Sequence, residues 1–146
     1  MTSTTPAWAP IFQNIFRREQ RTFLQYVHEA YPWTAYADEQ RLGKLQQIIA
    51  EEQRSTVGLA NYLRRQRVDL LYSRSFPLAF TALHFVSLDF LLPHLVKHQQ
   101  DAIAALEQDA GKIADAEPRE VVRVLLELKR KHLQELEALA KQPVAA

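Results

Sequence analysis

Apolar residues recur at intervals of three and four along four stretches of this chain, and prolines fall close to where those stretches begin or end. That spacing gathers the apolar side chains on one side of a helix, and a chain that repeats it is committed to packing helices against helices. Phe12, Ile15, Phe16, Phe23, Tyr26, Val27 and Ala30 predict a first helix from Ile11 to Tyr31, which Pro32 ends. Leu42, Leu45, Ile49, Thr56, Leu59, Ala60 and Leu63 predict a second, capped by Thr34 or Asp38 and finished near Arg67. After a linker over Val68 to Phe76, Pro77 reads as the first-turn proline of a third helix. That helix carries Phe80, Leu88, Leu91, Leu95, Ala102 and Leu106 to Gly111, with a kink or break expected at Pro93, whose ring removes a backbone hydrogen bond. A fourth starts around Glu117 and Pro118, presents Val121, Leu125, Leu128, Leu136 and Leu139, and closes at Gln142 and Pro143.

Composition bounds what such a chain does. Its 146 residues suit one domain around one core, and no apolar run approaches the roughly 20 residues that span a bilayer. The expected organisation is a flexible arm over 1–10 that docks through Trp8, a four-helix bundle over 11–141 and a tail over 142–146. The absence of cysteine excludes disulfides, thiolate metal sites and cysteine nucleophiles. Interspersed charges summing to +1 give no ground for a nucleic-acid or membrane partner, and Arg64, Arg65 and Arg67 sit where cations complement a helix C-terminus. No basic segment followed by an apolar one opens the chain, so a cytoplasmic location is expected. There is no phosphate loop, nucleophile elbow or HExxH motif. Trp8, Trp33, Tyr36 and Phe76 are candidates for a homodimer surface.

Each of the four stretches also carries an ionisable residue near the middle of its apolar face: Glu19, Glu52, His84 and His132. Charge inside a core is costly unless it is paired or coordinates a metal. On a wheel of about 100° per residue, Glu19 and Glu52 lie within about 20° of their stripe centres, and Lys129 falls roughly 40° off centre beside His132. His98 is nearer the edge of its stripe, His94 lies at the boundary, and His28 projects from the opposite side. Counted from the helix 1–2 turn, Glu19 and Glu52 are level at about 16 residues; His98 and His132 are level at about 16 to 18 from the helix 3–4 turn. These four and Lys129 can meet near mid-bundle, whereas His84 is displaced by roughly 20 Å.

The run Ile49, Ala50, Glu51, Glu52, Gln53, Arg54, Ser55, the segment Lys129, Arg130, Lys131, His132, and the spacing from Glu19 to Glu52 resemble ferritin-like proteins of the rubrerythrin and bacterioferritin type. The resemblance covers about Ile11 to Ala140. It implies an all-α, ferritin-like four-helix bundle with a crossover between helices 2 and 3, and a di-iron centre held by glutamates and histidines. Here Ser55 stands where the family's helix 2 histidine is expected, Lys129 where a helix 4 glutamate is expected, and helix 3 offers His94 and His98. His94 and His98 also faintly resemble the helical histidine pair of DinB-like thiol transferases, and with Asp101 they form a candidate surface metal site. Two readings follow for the central set. In one, Glu19, Glu52, His98 and His132 bind one divalent transition metal such as iron, manganese or zinc, Lys129 standing in for a second ion, and the protein is a non-haem oxidoreductase or iron-handling protein. In the other, there is no metal: Lys129 and protonated His132 neutralise the glutamates, and the bundle acts as a structural or protein-interaction module. Neither names a substrate.

Overall fold

A computed structural model of the protein describes residues 5–30, 38–72, 76–77, 80 and 87–142, with the backbone alone for 28–30. His84, Trp33, Tyr36, Thr34 and the side chain of His28, all singled out by the sequence, lie outside what is described. The described residues are all-helical: α1 (Ala9–Gln20), α2 (Phe23–Ala30), α3 (Glu39–Arg65), α4 (Leu88–Gly111) and α5 (Ala116–Lys141). With α1 and α2 following one another against α3, the arrangement is that of four helices. No helix among the described residues is long and apolar enough to cross a membrane.

The expected first helix is two. Thr22 divides it, because its hydroxyl accepts from the Gln25 amide at 3.4 Å and its carbonyl from Tyr26, so Thr22 starts α2. Arg21, bonded back to the Arg18 carbonyl, closes α1. Helix 3 also starts later than Pro77 predicts. Pro77 is not helical, and α4 begins at Leu88 under Ser87, whose side chain accepts from the Phe90 amide. Pro93 causes no break, since α4 runs through it. Its ring faces solvent, and the carbonyl that loses a partner belongs to exposed Asp89 in the first turn.

The end of α3 is a Schellman motif: Val68 bonds to the Leu63 carbonyl, Arg67 to that of Arg64, and Val68 is buried beside Leu63. Arg67 holds φ 60, a left-handed conformation that favours glycine. Arg67→Gly is therefore expected to raise the unfolding free energy by about 1 kcal/mol, measured as an increased urea midpoint with an unchanged slope.

Two apolar clusters fill the interior. The first joins Trp8, Phe12 and Ile15 to Leu59 and Leu63 of α3, Ile103 and Leu106 of α4, and Val122 and Leu125 of α5. The second joins Phe23 and Val27 of α2 to Leu45 and Ile48, to Leu88, Leu91 and Leu95, and to Leu136 and Leu139. Trp8 thus belongs to the core, edge-on to Phe12 and tilted against Tyr62, rather than to the dimer surface that the sequence suggests. Phe76 is half-buried against the second cluster. From α1 to α2 and along α3, α4 and α5 the switch between clusters falls at a polar residue: Glu19, Glu52, Gln99, and Lys129 with His132.

Candidate functional site

That polar layer is the candidate site. On α5 the buried stripe runs Val122, Leu125, Lys129, His132, Leu136, steps of three and four that put the lysine and the histidine on its inner face. Lys129 is wholly inaccessible to solvent. Its Nζ lies 2.6 Å from Glu19 Oε2 and 2.5 Å from Glu52 Oε2, so one ammonium bridges α1 and α3. The other Glu52 oxygen accepts from Gln99 Nε2 at 3.0 Å, and the same amide donates to the Lys129 carbonyl at 3.0 Å. His132 Nδ1 is 3.5 Å from Glu52 Oε1, long for a hydrogen bond but close enough for the carboxylate to stabilise an imidazolium. Its Nε2 meets Glu51 Oε2 at 2.6 Å on the side nearer solvent.

The electrostatics follow from this geometry. Burial pushes the Lys129 ammonium down, and the two facing carboxylates outweigh it and hold the group above its ordinary value. Burial pushes Glu52 up, but the Lys129 ammonium, the nearby His132 ring and hydrogen bonds from Lys129 and Gln99 bring it down to about 2. Glu19, with the same lysine and no other donor of comparable strength, is left raised by burial. Burial lowers His132, and Glu52 and Glu51 more than restore it. Two carboxylates against one ammonium leave a negative charge, which favours the protonated form of His132.

A pH dependence follows. The depressed Glu52 contributes stability that is present above the unfolded value of 4.5 and lost as pH falls towards about 2. The raised His132 contributes stability that is complete below 6.5 and lost as pH rises through its folded value. Raised Glu19 acts like His132, favouring the folded state below 4.5, and so tilts the optimum towards acid. With a chelator present, the melting temperature is expected to peak between 4.5 and 6.5 and to fall towards alkaline pH. His132→Gln should flatten that alkaline decline; an unchanged profile in this variant would assign it to other groups.

The structure brings Glu19, Glu52, His132 and Lys129 together and places His98 apart from them. The His98 ring packs on Phe23 at 4.8 Å and edge-on to Phe80 at 5.3 Å, and burial there lowers its basicity. Gln99, which the sequence reading passed over, takes the inward position on α4. His94 lies against Phe90, and Asp101 pairs with Lys97 at 2.9 Å. Ser55 lines a groove between α3 and α5 with Leu59, Tyr62, Val121 and Val124. The residues present do not fit a di-iron carboxylate centre: the carboxylate oxygens such a centre needs are bound to a buried ammonium, and a carboxamide faces them from α4.

Arg41 is a second buried charge that the apolar pattern does not announce. It pairs with Asp38 and with Asp89 of α4, each at 2.7 Å, and donates to the Gln142 carbonyl after α5. No protein-family model, no curated protein and no solved structure matches the chain.

Proposed function

We propose that this chain is a ferritin-like bundle whose centre is an ionic core rather than a metal centre, and that it acts through contacts with other proteins rather than by redox chemistry. The observation that carries this reading is the Lys129 ammonium between Glu19 and Glu52, which supplies at the bundle centre the positive charge that metal ions supply in di-iron bundles. The ferritin-type crossover has its own support. The early residues of α3 and α4 share one cluster and their late residues share the other, so the two helices point the same way and the link between them returns along the bundle. Arg41 and Asp89, each near the start of its helix, are in contact. The Asp69 and Leu71 carbonyls accept from Gln13 and Gln20 in turn, which lays the start of that link along α1.

The surface offers a means of contact. Val57 and Val124 are more than half exposed, and Val124 lines the groove between α3 and α5. A second copy of this chain is the expected occupant, and light scattering should give twice the chain mass of 16.9 kDa, reverting to a single chain in Val124→Asp. A single-chain mass at tens of micromolar would count against the homodimer.

The central reading is tested with Lys129→Glu. This variant exchanges the ammonium for a third carboxylate beside Glu19 and Glu52, and its stabilisation by Fe2+ or Mn2+ should exceed the parent's and be lost when Glu19→Gln is added. A parent protein that retains stoichiometric iron or manganese and loses it in both Glu19→Gln and Glu52→Gln would overturn the ionic-core reading.

A further inference from the structure

At the solvent edge of the buried layer, Glu51 of α3 faces His132 and Glu135 of α5, and one donor atom from each lies within 4.8 Å of the others. We infer that Glu51, His132 and Glu135 form a binding site for a single zinc-class divalent cation that ties α3 to α5 beside the Lys129 core. An imidazole nitrogen and two carboxylate oxygens are a donor set suited to zinc, and three protein ligands leave a fourth position for water. The spacing of three between His132 and Glu135 keeps both on one side of α5.

Burial and orientation both favour the site. The His132 ring is fully enclosed, so its direction is fixed; Nδ1 points towards Glu52 Oε1 at 3.5 Å, and Nε2 is turned outward to Glu51. A carboxylate behind a ligand histidine is the arrangement that orients imidazoles in metal sites. Glu51 and Glu135 keep about a fifth of their side chains exposed, which leaves a path for the ion. Two lysines compete for the carboxylates: Lys131 Nζ is 3.7 Å from Glu51 and Lys44 Nζ is 3.4 Å from Glu135. Both are substantially exposed, and such loose pairs give way readily.

The site shares His132 with the centre treated above but takes its other two ligands from outside it, and it is tested separately. Titrating zinc into the full, untagged chain by calorimetry should show one equivalent bound. Glu51→Gln and Glu135→Gln should each weaken it at least about tenfold with unchanged helical circular dichroism. Lys131→Ala should tighten it, and Glu107→Gln, which alters an exposed carboxylate paired with Arg130, should not change it. No binding below about 100 µM zinc, or affinity unchanged in both glutamine variants, overturns the site. Zinc lost in Glu19→Gln but retained in Glu51→Gln also overturns it, and would place an ion at the centre and sink the ionic-core reading instead.

Discussion

Lys129→Ala is expected to lower the unfolding free energy by about 3–5 kcal/mol, enough to leave a small domain largely unfolded. The loss does not measure an attraction between charges. Glu19 and Glu52 are both buried, and removing the ammonium leaves two carboxylates facing one another with only His132 and Gln99, both on the Glu52 side, to oppose their charge. A contrasting variant separates these causes. Replacing Glu19 and Glu52 by Leu together with Lys129→Met removes every unpaired charge while keeping approximate volume, and should return stability to within about 2 kcal/mol of the parent or exceed it. If the triple variant is as unstable as Lys129→Ala, shape rather than charge holds the layer together. Guanidinium denaturation followed by circular dichroism reads both.

Helix identity and most of the core were legible because the three-and-four spacing is strong and the terminators are local. Asp38 and Asp115 precede α3 and α5 close to where the pattern places them. The division at Thr22 was not legible, because an unbroken apolar stripe from Phe12 to Val27 outweighs a single threonine that caps only once the chain turns there. Lys129 looked peripheral because the stripe took in Val121 and Leu128, with its centre beside Leu125 and Leu136. The structure buries Val122 and Leu126, which rotates the centre towards the lysine. A similar one-residue ambiguity exchanged His98 for Gln99. Counting through Ala102 selects the histidine, whereas Ile103, the larger and more deeply buried residue, selects the glutamine. One residue along a helix is a rotation of about 100°, which decides which side chain reaches the centre. Arg41 lay beyond the pattern, since its partners Asp89 and Gln142 come from distant parts of the chain.

Phe23→Ala should cost a comparable amount, about 3–5 kcal/mol, for a different reason. Phe23 is almost fully enclosed and is the first residue of α2, where the first helix resumes after Thr22. Its ring lies 4.8 Å from Phe80 and from His98 and is stacked on Tyr26 at 6.2 Å, so it joins α2 to α4 and to the chain before Ser87. Truncation opens a cavity beneath a short helix, and that cavity cannot collapse without drawing α2 from α3. The change should also be visible at His98. Burial is the main cause of its lowered basicity, so opening its surroundings should move its titration up towards the ordinary value of 6.5. Imidazole proton shifts across pH, recorded with denaturant curves on the same variant, read both effects. A large stability loss with the His98 titration unmoved would mean that the Phe23 ring contributes through α2 alone and does not shield His98.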